Sequence, residues 1–369
     1  MRIAILADPI DNQNAGIHVF TKEMVDALIR TNPGYEILLI REKVDYNLKG
    51  VEQVAIWNTR LPIGFASLRL FLIVPFVLHF KKADIVVEPA HFGPFNLLKY
   101  IKRVTIIHDL TPILFPDFHR WHSQLLQKIF LKGILNKTDL IIANSDNTAN
   151  DICKVYPQNC KKVKRIYPGK TAQYKPENKV GVLKKYNITD PYFLFVGTIE
   201  PRKNLLVLLD AFTIFKTQNK NNVKLVITGG IGWKAEGFTS ALNVHSFKDS
   251  IHCTGFADAE DLPTLYTQAV ALIYPSLYEG FGLPVIEAMS CGTPVITGNN
   301  SSLPEAGGDA ALYFDASDSA ALAVQMEKIF SDKTLRNQLS KKALKHVQKF
   351  DWDDFATEAW NVLDDLKQK

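Results

Sequence analysis

Residues 274–296, Tyr-Pro-Ser-Leu-Tyr-Glu-Gly-Phe-Gly-Leu-Pro-Val-Ile-Glu-Ala-Met-Ser-Cys-Gly-Thr-Pro-Val-Ile, concentrate more chemistry than any other part of the chain. The pattern predicts a strand end, a glycine-bearing loop, a short helix and then the next strand. Pro284 suits the first turn of that helix, where its missing N–H is no loss. Around Phe281 and Leu283, Gly280 and Gly282 let a ligand approach the backbone closely. The helix N-terminus itself attracts phosphate. Glu279 falls in the loop and Glu287 about one turn inside the helix, so both carboxylates can point at one ligand while meeting different parts of it. Carboxylates accept hydrogen bonds from hydroxyls, which suits a polyhydroxylated molecule such as a sugar or ribose. Either glutamate alone would read as a helix-start or solvated residue.

A second segment, residues 195–205 (Phe-Val-Gly-Thr-Ile-Glu-Pro-Arg-Lys-Asn-Leu), repeats the plan of strand, glycine at Gly197, loop and helix start, with Asn204 as the expected N-cap. Arg202 and Lys203 at the carboxyl end of a strand place two cations where a diphosphate must be neutralised, and could replace a metal ion there. By itself a basic pair before a helix is usually solvated surface. His108 and Asp109 follow the apolar run Val104 to Ile107. At a strand end a His can donate a hydrogen bond to a hydroxyl, or a nearby carbonyl oxygen can steady positive charge; a lone His there is more often structural. Asn12 to His18, with Gly16, lies between the first strand and helix and does not follow the Gly-x-Gly-x-x-Gly fingerprint, which counts against a nicotinamide-binding enzyme.

The elements that must hold these residues are written as short apolar runs alternating with helices: residues 3–7, 36–40, 84–87, 104–107 and 139–143, then, after a Lys-, Gly- and Pro-rich stretch from Pro168 to Pro191, residues 192–196, 223–227, 251–254, 270–274 and 294–297. Such runs predict parallel sheets covered on both faces, so the fold class is α/β with two Rossmann-like, doubly wound domains. Expected boundaries are 1–170, 171–350 and a final amphipathic helix in 351–369 that packs back on the N-terminal domain. Ligands of such sheets sit beyond the strands' carboxyl ends, and two sheets facing across a cleft could enclose a nucleotide-sized molecule.

Length and composition agree: 369 residues exceed one core, and with 47% hydrophobic residues no long disordered tail is expected. The net charge of +5 suggests an anionic ligand or surface, and no nucleic-acid motif accompanies it. The cysteines, at 153, 160, 253 and 291, fit neither a zinc knuckle nor a compact disulfide framework, which points to a reducing, cytoplasmic location. Residues 61–80 are apolar, but Arg69 and His79 interrupt them and Pro62 and Pro75 break them, so a membrane span is not expected. Two readings stay open: a buried or half-buried helix, or a peripheral membrane face flanked by Arg60, Lys81 and Lys82.

Taken together, the Glu-x7-Glu spacing of Glu279 and Glu287, the Arg-Lys-Asn run at 202–204, Ile-His-Asp-Leu at 107–110 and Ser-Ser-Leu-Pro-Glu-Ala-Gly-Gly-Asp-Ala-Ala at 301–311 resemble glycosyltransferase family 4, across nearly the whole chain. The resemblance implies the GT-B fold and a retaining, metal-independent sugar transfer from a nucleotide-diphosphate donor. It assigns Glu279 to the donor sugar's hydroxyls, Glu287 to the ribose, Arg202 and Lys203 to the diphosphate and His108 to the neighbourhood of the transferred sugar. Gly16 takes the place of a glycine-rich loop beside the diphosphate, with Ala15 where the family often has a second glycine. The loop carrying Gly229 and the strand end carrying Phe256 would frame the base, and Glu305 would approach the same nucleotide. It favours GDP-mannose as donor, a UDP-sugar second, with a glycan or lipid-linked acceptor. A nucleotide-sugar epimerase of the same architecture and a catalytically silent binding subunit are the competing readings.

Overall fold

The computed structural model describes residues 1–12, 16–43, 51–56, 68–91, 93–94, 96–118, 127–219 and 221–368. Strands β1 (Arg2–Leu6), β2 (Glu36–Arg41), β3 (Glu52–Ala55), β4 (Ile85–Glu88), β5 (Lys102–Ile107), β6 (Leu140–Ala143) and β7 (Val163–Arg165) form a seven-stranded sheet in the order 3-2-1-4-5-6-7. A six-stranded sheet, in the order 10-9-8-11-12-13, follows from β8 (Tyr192–Val196), β9 (Lys224–Thr228), β10 (Ile251–Gly255), β11 (Ala271–Tyr274), β12 (Val295–Gly298) and β13 (Ala311–Phe314). Every pairing is parallel. In each sheet the order of strand addition reverses once, between β1 and β4 and between β8 and β11, and at such switch points the connections diverge to leave room for a ligand.

Chain contacts divide the molecule into two compact units, residues 1–114, 121–169 and 350–369 in one and 115–120 with 170–349 in the other. The continuous apolar runs are explained by their burial: Ile3, Ile5, Ile37, Leu39, Ile85 and Val87 face a core closed by the Gly16–Arg30 and Trp352–Lys367 helices. Ala4, Leu38 and Val86 point to the opposite face, where Val74 and Leu78 cover them. The Trp352–Lys367 helix thus builds the first unit with Trp352, Phe355, Trp360 and Leu363, after Asp351 caps it through the Asp353 N–H.

Strands β3, β7 and β13 are additions to the sequence reading. Glu-Gln-Val-Ala and Val-Lys-Arg are sheet edges, half-solvated and polar, so they lack the apolar run by which the central strands are recognised. The cysteine reading is corrected in one respect: Cys153 and Cys160 form a disulfide, joining the Asp146–Val155 helix to the turn that follows it.

Residues 61–67 and Arg60 lie outside the described residues. Beyond them, Pro75 does not break the helix. A π turn over Arg69–Ile73 precedes it, in which the Val74 N–H reaches the Arg69 carbonyl, and the wider turn accommodates a proline that has no N–H to give. Among the described residues, no helix is long and apolar enough to cross a membrane.

Phe355→Ala should remove a buried aromatic, 2% exposed, from the first unit's core. The expected cost is about 3–5 kcal/mol. A urea titration of wild type and variant measures it; a loss below about 1 kcal/mol would mean the terminal helix does not complete that core.

Candidate functional site

The strongest constellation is built at the β8–β11 switch point. Chain leaving β8 passes Gly197, whose N–H donates to the Thr228 carbonyl at 2.9 Å. Gly229, at φ +143°, is required by closeness: a Cβ there would stand 2.1 Å from the Gly197 oxygen. Glu200 follows, then a single tight turn over Pro201–Lys203, and Asn204 at φ +58° opens the Leu205–Gln218 helix.

Asn204 stands at the N-cap position but does not cap. Its amide nitrogen donates instead to the carbonyls of Pro275 at 3.1 Å and Ala316 at 2.7 Å. The left-handed backbone turns the side chain away from the helix's own amides, and the residue ties three loops together. The stitching continues where the Leu277 N–H donates to the Arg202 carbonyl at 2.9 Å, Asn300 Nδ2 donates to the Leu277 carbonyl at 2.6 Å, and Ser302 Oγ donates to the Glu279 carbonyl at 2.9 Å.

Inside this frame Arg202, Lys203, Glu279 and Glu200 form a cluster of alternating charge. Arg202 Nη1 lies 2.8 Å from Glu279 Oε2 and donates to the Tyr278 carbonyl at 2.9 Å, while Nη2 donates to Glu200 Oε1 at 2.7 Å. Lys203 Nζ donates to Glu279 Oε1 and to the Tyr274 hydroxyl, both at 2.6 Å. Glu200, Lys203 and Glu279 are all buried. The basic pair is therefore not solvated surface. Burial drives the Glu279 carboxyl upward, but the Arg202 and Lys203 charges more than reverse this and hold it at about 2. Lys203 is lowered, by burial and then by Arg202. Glu200 is raised by burial, against the pull of Arg202 and Lys203. The sequence reading missed Glu200; its signal was a carboxylate beside Pro-Arg-Lys at a strand end, indistinguishable there from a loop residue.

Glu287 belongs to a different environment. It lies on the Leu283–Ser290 helix, which begins after Gly282 at φ +104° and has Pro284 in its first turn, as the sequence pattern required. The Tyr266 hydroxyl donates to Glu287 Oε2 at 2.8 Å. Burial lifts the carboxyl to about 7, against hydrogen bonds from Tyr266 and Tyr174. Glu279 and Glu287 share no hydrogen-bond partner among those observed. Gly280 and Phe281 are buried in the loop between them, and Leu283 is half-buried at the helix start.

Phe256, just past β10, exposes 82% of its surface and rests its ring on Gly230, where a Cβ would meet it at 2.3 Å. A flat, exposed ring held against backbone offers a stacking face for an aromatic base. Glu305 stands in the first turn of the short Leu303–Gly307 helix.

In the first unit, His108 follows β5 and its Nε2 lies 2.7 Å from the Pro89 carbonyl oxygen. A carbonyl can only accept, so Nε2 carries the proton and Nδ1 is left as an acceptor. The side chain is thus set to receive a hydrogen bond, not to donate one to a hydroxyl. His91, missed in the sequence, fixes it further: the His108 N–H donates to His91 Nε2 at 2.8 Å. Burial lowers both rings, His91 to about 4. Gly16 begins the Gly16–Arg30 helix exposed, and among the described residues no atom lies within 4 Å of a built Cβ, so none of them demands glycine there. Ala15 lies outside the described residues.

Because the Glu279 carboxyl is depressed from 4.5 to about 2 in the fold, its ion pairs contribute fully above the unfolded value and are lost as pH falls towards 2. At neutral pH, Glu279→Gln should destabilise the chain by on the order of 3 kcal/mol. Denaturant midpoints taken at descending pH should show the gap between variant and wild type closing between about 4.5 and about 2; a gap independent of pH would mean the ion pairs are not its source.

The chain matches the family described as glycosyl transferases group 1 over residues 183–346 and that described as glycosyltransferase family 4 over residues 15–170. It is 31% identical over 278 residues to O-antigen chain mannosyltransferase B of Escherichia coli, covering 74% of this chain and 73% of that one. Among solved structures, it is similar to the sucrose-phosphate synthase of Thermosynechococcus elongatus, with a TM-score of 0.76 at 20% identity over 100% of this chain and 99% of that one. HepE of Anabaena, in complex with UDP-glucose, superposes with a TM-score of 0.75 at 17% identity over 99% and 100% of the two chains. With its two parallel sheets and this kinship, the chain belongs to the group 1 and family 4 glycosyltransferases, enzymes of the GT-B fold.

Proposed function

We propose that this glycosyltransferase moves a hexose, mannose in the first instance, from a nucleotide-diphosphate sugar to a glycan or lipid-linked acceptor in surface-polysaccharide or glycoconjugate synthesis. The observation that carries the reading is the buried cluster of Arg202, Lys203 and Glu279 at the β8–β11 switch point. Kinship with an O-antigen mannosyltransferase supports the sugar and the class of product. GDP-mannose is the proposed donor, with a UDP-sugar second, since a similar fold holds UDP-glucose in HepE.

In the reaction, the bond between the anomeric carbon and the diphosphate oxygen breaks, and a bond to the acceptor oxygen forms on the same face. The acceptor's proton leaves with the nucleoside diphosphate, whose oxygens can take it. Arg202 and Lys203 draw off the negative charge that develops on the leaving group, and the first amides of the Leu283–Ser290 helix add a fixed dipole. Glu279 uses Oε1 for Lys203 and Tyr274 and Oε2 for Arg202, and a carboxylate has about four acceptor positions, so it can also receive a donor hydroxyl. His108, with Nδ1 as acceptor, can receive another. Glu287 is assigned to the ribose, Phe256 to the base, and Gly16, Gly197 and Gly229 to close backbone approach. No metal is needed where two cations already meet the diphosphate. Chemistry on a nucleotide sugar suits the cytoplasm, at the inner face of the membrane that carries a lipid-linked acceptor.

Arg202→Ala should lower turnover about 10²- to 10³-fold, the range for removing one preorganised donor from a developing charge. Labelled donors followed for transfer, epimer formation and simple binding provide the assay. An unchanged rate removes Arg202 from the mechanism, and epimer formation or binding without transfer replaces the reading with a competitor. Activity should survive exhaustive chelation with EDTA; its abolition, with recovery on adding a divalent cation, would overturn the metal-independent step. Of the nucleoside diphosphates, GDP should raise the melting temperature more than UDP.

A further inference from the structure

Residues 68–80 form a helix turned inside out. Its one arginine points inward: Arg69 is 4% exposed, holds both carboxylate oxygens of Asp8 at 2.7 Å and donates to the Ile56 carbonyl at 2.8 Å. Four of its large apolar side chains point outward. Leu68, Leu72, Phe76 and Phe80 are 45%, 56%, 62% and 64% exposed, and Tyr100, whose hydroxyl meets His79 Nδ1, is 53% exposed.

The four outward residues recur every fourth position. In a regular α-helix that spacing drifts about 40° per step, since four residues exceed one turn of 3.6. The π turn over Arg69–Ile73 is wider and offsets the drift, so Leu68 and Leu72 stay on the side of Phe76 and Phe80. Phe76 and Phe80 touch through tilted rings, with centroids 4.3 Å apart and planes 46° from parallel. Among the described residues none covers this ridge: the helix meets the sheet through Val74 and Leu78, with Leu70, Ile73 and Val77 partly buried beside them.

Charge decides what fits it. No acidic residue occurs from 68 to 82, and the helix runs into Lys81 and Lys82. Lys81 is paired with Glu52 at 2.7 Å, whereas Lys82 and Lys99 are exposed and enter no observed ion pair among the described residues. Lys82 also holds φ +51° as the helix ends, with its N–H on the His79 carbonyl and the Ala83 N–H on that of Leu78, both at 3.0 Å. Glycine is the inexpensive residue for that left-handed position. A lysine there trades backbone ease for a cation beside the ridge.

We propose that the Leu68, Leu72, Phe76 and Phe80 ridge, with Tyr100 and the cations Lys82 and Lys99, docks on an anionic lipid bilayer. Aromatic and aliphatic side chains enter the headgroup region while the lysines meet lipid phosphates. The inference deepens the proposed function by seating the enzyme where a lipid-linked acceptor is held, and rests on that reading for its purpose only.

The test is cosedimentation of the full chain with vesicles of phosphatidylcholine and phosphatidylglycerol against phosphatidylcholine alone, alongside transfer to a soluble acceptor. Wild type should bind the mixed vesicles, and less so in high salt. Phe76→Ser with Phe80→Ser should weaken binding by at least about ten-fold. Lys82→Gln and Lys99→Gln should each weaken it about five-fold. Transfer to the soluble acceptor should stay unchanged in all of them. Should the serine variant fail to fold, Phe76→Trp serves: its emission should shift to the blue with mixed vesicles only. Failure of wild type to bind, undiminished binding by the ridge variants, or a ridge needed only for self-association would each overturn the proposal. Vesicle binding without sugar transfer would instead overturn the functional reading and leave this one standing.

Discussion

Everything at the candidate site depends on one electrostatic constraint: Lys203, Glu200 and Glu279 are buried against a half-buried Arg202, and no buried charge can be there alone. An isolated buried ion costs several kcal/mol in lost hydration, and only well-placed opposite charges with further hydrogen bonds offset it. Glu279 meets both cations, Arg202 meets both carboxylates, and Tyr274 and the Tyr278 carbonyl take the remaining contacts. The opposite pKa directions of Glu279 and Glu200 follow from this arrangement. Glu279 has two cations against it, whereas Glu200 has one close guanidinium and keeps more of the penalty of burial. Such a cluster fixes its members in place before any ligand arrives, and preorganised charge acts on a transition state without first having to rearrange.

The fold supplies the reason this cluster can exist at a strand end. Loops from β8, β11 and β12 meet there, and Asn204, Asn300 and Ser302 each donate from one loop to backbone of another. Close approach of Gly197 and Gly229 lets the β8 and β9 ends run side by side before the Glu200 loop departs. Arginine at 202 is itself part of the frame: its backbone carbonyl and its guanidinium both take bonds from the β11 loop or reach into it. Lysine at that position would present one charge without the fork that spans Glu200, Tyr278 and Glu279.

How much of this was legible follows from which physics each feature obeys. Central strands such as Ile3–Leu6 or Tyr192–Phe195 are buried on both faces, so composition alone reveals them, and the two doubly wound sheets followed from their rhythm. Edge strands β3 and β7 are stabilised by backbone pairing on one side with polar side chains, and leave no such trace. At the site, the residue types of Arg202, Lys203 and Glu279 could be read, but their partners could not. Glu200 and Tyr274 become functional neighbours only when β8 and β11 are placed side by side. His108 shows the same limit more sharply. Its position at a strand end was visible, whereas its ring proton was decided by the Pro89 carbonyl and its backbone N–H was taken by His91, residues brought beside it by the β4–β5 pairing.

Residues 68–80 show why an apolar stretch is an incomplete message. Sequence hydropathy treats Arg69 as the interruption and the leucines and phenylalanines as the core, yet the fold buries Arg69 and turns Leu68, Leu72, Phe76 and Phe80 outward. Asp8, two residues past β1, gives the guanidinium a two-bond partner, which lets a charge turn inward at that point. Val74 and Leu78, with Leu70, Ile73 and Val77 beside them, close that face of the sheet, which leaves the outward ridge uncovered among the described residues. A single scattered exposed leucine would require no explanation; a ridge kept in line by a π turn and ended by a lysine in a glycine conformation does.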